Sequence, residues 1–533
     1  MTVTPSGNLY LCKTKLENDY KNQFTWANIN AQDTYFNSTV QETFTDYTYM
    51  KKDSTITVSA SIDDIIDCNY LFYNNEGFTN RRYYCFITNM TYVNENTTRI
   101  TIETDVFQTW YFELQYNKCF VEREHVNDDT IGLHTIPEGL ETGEYVENDV
   151  DTFNYEDYYT CIAVSENLFD ESLQPIKNYN GIPSGLTYII MKTNADLNRA
   201  VQRYDEKTDA LYSIFVIPKE YVPNPNWLQW SWSIGSLTIS IDYAYVPSSI
   251  GTVALGDKYI SIPSTINGYT PKNKKLFTYP YNFIKVDNNV GINTIYHYEL
   301  FDDVTSCQFH QWGIINAGCC IKTVPINYKN IRVNFNESFN NAKLPVGSWL
   351  NDPYVNWLTQ NGVNMQMNMA EGIIGTGFET GVLGASLGGL PGALIGGVAG
   401  AVTGGFTSAF NNMIQKKSHD LVPKQVAGNT NSSDIMFSAG NIGPIFYRTS
   451  IKYEFAKIID QFFDLYGYKV NDVKIPNITG RRNWNYVKTN DCNVDGDIPQ
   501  NDLNKIKQMF NNGVTLWHNP ANIYNYSLDN SII

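Results

Sequence analysis

The chain has 533 residues, 42% of them hydrophobic and 14% aromatic, which is ample for folded cores, weighs against intrinsic disorder and suggests two to four domains. Charged residues make up only 17%, and the excess of Asp and Glu gives a net charge of −17 with a pI near 4.8. Tight binding to a nucleic-acid backbone needs clusters of Lys and Arg, so this balance argues against a DNA- or RNA-binding protein.

Along the chain, MTVTPSGNLYLCKTKLEND shows no basic stretch leading into an apolar run, so no secretory signal is expected. STITVSASI (54–62) alternates small polar and apolar residues, the period of a half-buried strand. RRYYCFITNMTYV (81–93) and TRITIETDVFQTWYFEL (98–114) predict a strand pair around the turn-prone NENT. LTYIIMK (186–192), LYSIFVIP (211–218) and SLTISIDYAYVP (236–247) follow, rich in β-branched and aromatic residues and bounded by Pro, Gly or Asn. Two helices are expected late in the chain. In EFAKIIDQFFDLYG (454–467), Phe455, Ile458, Ile459 and Phe462 fall at helical spacing. In NDLNKIKQMFNNG (501–513), Asn501 is the expected N-cap, Leu503, Ile506 and Phe510 share a face, and Gly513 lies just past the end. No fixed-period repeat of the solenoid or propeller kind occurs. The nine cysteines are scattered, with one adjacent pair, Cys319 and Cys320, and no CxxC. Free thiols in a chain folded in a reducing cytoplasm are expected, without a zinc ribbon or redox motif.

One stretch is unlike its surroundings. From Thr380 to Gln415 no side chain carries a charge, and glycines recur every four residues at 384, 388, 392, 396, 400 and 404. On a helix that spacing gathers them near one stripe, the small-xxx-small face that lets helices approach closely in membranes. Leu387, Leu390, Leu394, Ile395, Val398 and Val402 are apolar enough for lipid, and the uncharged run exceeds the ~20 residues that span a bilayer. Yet each helical glycine costs about 1 kcal/mol relative to Ala in water, and Pro391 interrupts the run. Three readings follow: a buried glycine-rich loop packed inside an oligomer, a resident anchor, or a long apolar loop that is sheltered in a channel and later meets a membrane. The last is favoured, because an exposed apolar stretch of this length aggregates unless sequestered, and a ring of copies sharing a lumen would shelter it.

Sites of chemistry are sparse. DCNVDGDIPQND places Asp491, Asn493, Asp495, Gly496 and Asp502 at positions 1, 3, 5, 6 and 12 of a calcium-loop pattern. Position 12 is Asp rather than Glu, Pro499 fills position 9, and a strand precedes it, so a strand, a turn and a capped helix are expected instead. VEREHVNDD (121–129) gathers Glu122, Glu124, His125, Asp128 and Asp129, but on a strand Glu122 and Glu124 share one face and His125 takes the other, so convergence is poor. Six histidines without a HxH or HxxxH pair and no Walker lysine argue against an enzyme; no metal or cofactor is expected. The rings of NPNWLQWSWSIG (224–235) could stack on sugars, although packing in a β core is the favoured reading.

TDVFQTWYFELQYNKCFVEREHV (104–126), NKKLFTYPYNFIKVDNNVG (273–291) and RRNWNYVKTNDCNVDGDIPQNDLNKIKQMFNNGVTLWHNP (481–520) resemble the tail knob, or distal tail tube, proteins of small picovirus-type short-tailed phages of Gram-positive bacteria. The opening LENDYKNQFTW is similar to that family's start, and the glycine-rich segment sits where the family carries long hydrophobic loops. The resemblance implies a mainly β, multidomain protein with minor α content, assembled as a six-fold ring or tube. It implies four regions: an N-terminal β tube domain (1–125), a middle β-rich part (126–345), a long hydrophobic loop or tip (346–445) and a C-terminal α+β segment (446–533) packing back near the tube domain. The apolar loop would plug the lumen and, once released, cross the host membrane so that genomic DNA passes without specific binding. Its residues would be Ile373, Ile374, Phe378, Val382, Leu383, Gly384, Leu387, Gly388, Leu390, Gly392, Leu394, Ile395, Gly396, Val398, Gly400, Val402, Gly404, Phe406 and Phe410. Implied partners are further copies (a hexamer), collar and tail-tip proteins and the host cell membrane, at the distal end of a virion tail assembled in the host cytoplasm. The alternative is a carbohydrate-binding or cell-wall-degrading tail protein using the Trp cluster and paired carboxylates; a pore-forming protein outside any phage fits less well, lacking a secretion signal.

Overall fold

The computed structural model describes residues 7–50, 53–74, 81–153, 155, 157–172, 178–179, 182–183, 185–204, 207, 210–234, 236–247, 252–288, 292–302, 305–315, 319–341, 346–348 and 443–533. Strands dominate, and the chain sorts into two compact units of interleaved segments. The first comprises Met1–Glu144, Gly268–Thr278 and Lys452–Ile533; the second comprises Tyr145–Asn267 and Tyr279–Ile451.

A seven-stranded antiparallel sheet founds the first unit, in spatial order Val40–Phe44, Leu9–Cys12, Tyr70–Asn74, Arg82–Asn94, Thr97–Thr104, Thr55–Val58 and Tyr47–Met50. Both faces of its middle are buried, which is why YLFY (70–73) reads as a continuous apolar run rather than an alternation. Leu71 and Tyr73 join Leu9, Ile56 and Ile100 on one side; Tyr70 and Phe72 join Phe36, Trp484 and Trp517 on the other. Phe36 belongs to helix α1 (Ile29–Ser38), whose first turn is closed by the Asn28 side chain accepting from the Ala31 amide. A single turn, α2 (Ile62–Ile65), follows the 55–58 strand. Part of the expected strand at 98–114 is helical: the strand ends at Thr104 and α3 (Val106–Trp110) begins. Asp105 causes the switch, because its buried carboxylate accepts from the Phe107 and Gln108 amides and from the Tyr70 hydroxyl.

A five-stranded sheet completes this unit, in the order Asn22–Phe24, Val514–Trp517, Trp484–Asn490, Cys119–Glu124 and Tyr468–Lys474. Three of its five strands come from the last 70 residues or so of the chain, so the unit cannot close until the C-terminal segment is present.

The second unit holds a six-stranded sheet, in the order Leu228–Ile234, Leu237–Tyr245, Thr187–Met191, Tyr158–Val164, Leu211–Pro218 and Val346–Ser348. Helix α4 (Asn194–Tyr204), absent from the sequence expectations, buries Leu197, Ala200, Val201 and Tyr204 against it. A second sheet joins Thr252–Ser261, Ser306–Ile315, Cys319–Tyr328 and Ile331–Val333, with Phe339–Asn340 beside the third strand. A third sheet runs Tyr145–Thr152, Ile445–Ile451, Asn282–Asp287 and Asn293–Tyr296.

The last two helices return to the first unit. Helix α5 (Tyr453–Tyr466) forms where expected, but its buried stripe is Ala456, Ile459, Asp460 and Phe463, while Ile458 is 63% exposed. The predicted face is therefore rotated, because an acidic residue occupies a place that hydropathy reserves for an apolar one. Helix α6 (Gln500–Asn512) buries Leu503, Ile506 and Phe510 as predicted, together with Met509. It begins after Pro499, so Asn501 lies inside the first turn instead of capping it. The seven cysteines whose side chains are described are buried and free.

Candidate functional site

Every residue assigned to the apolar loop, from Ile373 to Phe410, lies outside the described residues. Its roots are described. On the N-terminal side Val346–Ser348 forms the edge of the six-stranded sheet, with Phe215 opposite Val346 and Ser213 opposite Ser348. On the C-terminal side Ile445–Ile451 is an interior strand, paired with Tyr145–Thr152 on one flank and Asn282–Asp287 on the other. Both roots therefore belong to the second unit, and the re-entry strand is fixed by two hydrogen-bonded neighbours and the buried Phe446.

The acidic stretch at 121–129 is structural. A β-bulge between Val121 and Arg123 breaks the alternation of the Cys119–Glu124 strand, so Glu122 and Glu124 do not share a face as the sequence suggested. Glu122 pairs with Lys488 at 2.9 Å on a half-open surface. Glu124 is fully buried, pairs with Lys474 and accepts from the Asn477 amide at 2.7 Å. His125 is also buried. Its Nδ1 accepts from the Tyr486 amide at 2.7 Å, which leaves the proton on Nε2 to donate to the Asp464 carbonyl at 3.1 Å. Burial, reinforced by the Arg481 charge, pushes the His125 pKa down to about 3, so the ring is neutral. Asp128 closes the following turn through the Thr130 amide and hydroxyl. Asp129 accepts from the Lys274 amide and the Tyr468 hydroxyl, and its burial raises its pKa.

Around this stretch the structure gathers groups that sequence reading missed. Glu138 binds both Arg123 and Lys275, and the Lys275 ammonium also donates to the Ile136 carbonyl at 2.9 Å. Arg123 donates to the Gly467 carbonyl at 2.7 Å. Asp460 of α5 accepts from the Tyr269 hydroxyl at 2.7 Å, the Lys272 amide at 2.9 Å, and the Asn273 amide and side chain at 3.0 and 2.9 Å. These contacts sew residues 268–278, an excursion between two stretches of the second unit, onto the first. Glu138, Asp129 and Asp460 each take two or more donors, an arrangement that holds backbone in place.

The calcium-like loop is likewise committed. Asn493 donates to the Lys118 carbonyl, Asp495 accepts from the Gly496 amide, and Asp502 accepts from the Trp110 indole at 2.9 Å. These groups diverge, and the loop is the expected strand, turn and helix. Among the described residues no group of three or more His, Cys, Asp or Glu side chains is arranged to hold a metal ion. The tryptophans at 227, 230 and 232 pack against the second unit's core, as the favoured reading had it.

Comparison with known proteins bears on this arrangement. The sequence model of the family described as Bacillus phage phi29, Tail knob protein gp9, C-terminal domain matches residues 248–531, and that of the Caudoviral major tail protein N-terminus matches residues 7–115. The chain is 27% identical to the Tail knob protein gp9 of Bacillus phage PZA and to that of Bacillus phage phi29, each over 98% of this chain and 98% of the relative. Among solved structures, the bacteriophage C1 tail knob protein gp12 shares its fold, with a TM-score of 0.62 at 14% identity over 99% of this chain and 100% of that one.

Proposed function

Because this chain belongs to the family of the phage phi29 tail knob protein gp9, and is thus a structural component of a phage tail, we propose that it forms the distal knob of a short tail and plugs that tail with its apolar segment. In this reading the chain assembles as a ring, six copies around a lumen, bound to collar and tail-tip proteins. The region 346–445 is the tip, and its residues from Ile373 to Phe410 wait inside the ring until release brings them to the host membrane. Genomic DNA then slides through a passage whose acidic or neutral wall does not grip phosphate.

The observation that carries the membrane step is the uncharged run from Thr380 to Gln415 in a chain of net charge −17, entered and left through strands of one unit. A backbone that is stable both packed against other copies and in lipid must lack charge and tolerate more than one conformation, and repeated glycine supplies the second property. Dye-filled liposomes test this. The full chain should release dye, and a variant lacking residues 384–405 should not. Equal leakage from both would remove the loop from the mechanism. Electron micrographs showing only monomers at assembly concentrations would remove the ring.

A further inference from the structure

The second unit carries another uncharged surface, formed entirely elsewhere. No charged side chain occurs from Tyr221 to Ile241, a run that includes most of the hairpin of Leu228–Ile234 and Leu237–Tyr245, at one edge of the six-stranded sheet among the described residues. We propose that the tip of this hairpin seats in the headgroup region of a lipid bilayer, as a membrane contact separate from the glycine-rich segment.

The rungs of the hairpin run Gln229–Asp242, Trp230–Ile241, Ser231–Ser240, Trp232–Ile239, Ser233–Thr238 and Ile234–Leu237. One face presents Trp230, Trp232, Leu237, Ile239 and Ile241; the other presents Gln229, Ser231, Ser233, Thr238 and Ser240, with Asp242 beside Gln229 at the base, paired with Lys192 at 2.9 Å. Near the base the apolar face is covered, with Ile241 buried and Trp230 against Phe169. Toward the tip the cover runs out, and Leu237 is 64% exposed. The three rungs beyond Ser231–Ser240 reach about 10 Å, the depth at which interfacial elements sit between headgroups and acyl chains.

Charge and ring chemistry select lipid over other occupants. Indole rings prefer the boundary between water and hydrocarbon, and a polar face of Ser, Thr and Gln enters headgroups at far lower cost than a charged one. Arg199 donates to the Ser240 carbonyl at 2.9 Å and lies 3.9 Å from Asp196, and the Arg203 guanidinium sits over Trp230 at 5.5 Å. Long basic side chains at that height can reach lipid phosphates while their stems stay on apolar surface. Sugar binding needs an open ring face, and Trp230 is already contacted by Trp232, Phe169 and Arg203.

Flotation with phosphatidylcholine vesicles, and with vesicles containing phosphatidylglycerol, tests the proposal on the full chain and on the chain lacking residues 384–405. The deletion variant should still float. In that background Leu237→Asp should lower partitioning by about ten-fold and Leu237→Trp should raise it several-fold, a gain that misfolding cannot imitate. Unchanged partitioning with Leu237→Asp would overturn the hairpin proposal. So would a Leu237→Asp effect confined to sedimentation mass, which would make a second copy the occupant, or to pelleting with cell-wall glycan. Dye leakage that survives the deletion refutes the glycine-rich loop instead, so the two failures are distinguishable.

Discussion

Asp460 holds four donors on two oxygens while buried on a helix face that otherwise packs hydrocarbon. Replacing it with Ala strands the Lys272 and Asn273 amides without acceptors, and each unsatisfied buried donor costs about 1–3 kcal/mol. Asp460→Ala should therefore lower stability by about 3 kcal/mol or more. Asp460→Asn keeps one acceptor oxygen and should cost about half as much, a ranking that chemical denaturation can check. His125 makes a second prediction, about pH. Its folded pKa near 3 lies below the ordinary value of 6.5, so the unfolded chain takes up a proton that the folded chain refuses between those values. The neutral ring's contribution is thus complete above pH 6.5 and is lost as pH falls toward 3, with a slope of about 1.4 kcal/mol per pH unit. Asp105, raised to about 7 by burial, acts with the opposite sign in part of the same window, which is why the comparison must be differential. His125→Asn can keep an acceptor toward the Tyr486 amide but has no ring to titrate. The wild-type minus variant stability should fall by that slope below pH 6.5, and parallel profiles would refute it.

At the next scale, α5 ends because Gly467 turns the chain with φ 65° and ψ −156°, a conformation that only glycine adopts at low cost. A Cβ there would also overlap the Glu124 carbonyl, which is held in the strand pairing with Tyr468. Gly467→Ala should cost about 3 kcal/mol or more. Gly139→Ala, at φ 71° with open space around it, should cost about 1–2 kcal/mol for backbone strain alone. Thermal melting of the two variants separates packing from conformation. Elements were legible in the sequence where one rule governed them. Helix α6 shows the expected apolar face since packing selects Leu503, Ile506 and Phe510. Helix α5 was placed correctly along the chain and misjudged in rotation, since Asp460 serves partners nearly 190 residues away that no local pattern encodes. Likewise α3 hid in a strand-like run because one capping carboxylate outweighs β propensity there. In the acidic stretch at 121–129 the expected geometry was wrong, since a bulge rather than alternation separates its carboxylates.

For the whole molecule, chain order and spatial order diverge. The 484–490 and 514–517 strands pair with 22–24 and 119–124, and the long apolar segment departs from and returns to the second unit. Such interleaving lets a long segment be inserted without disturbing the first unit, provided its two roots stay paired. The net charge of −17 belongs to this scale as well. A protein that guides DNA without holding it must make few phosphate contacts, because each contact adds nearly one unit to the slope of log affinity against log salt. The purified protein should therefore show no salt-dependent retention of duplex DNA between 50 and 200 mM salt, about the range over which phosphate-binding proteins lose several orders of magnitude. Retention at the lower concentration that collapses at the higher would reveal a basic track concealed by the overall balance. The proposed bore could not then be a neutral sleeve, and the proposed ejection would have to work against binding at every turn of the duplex.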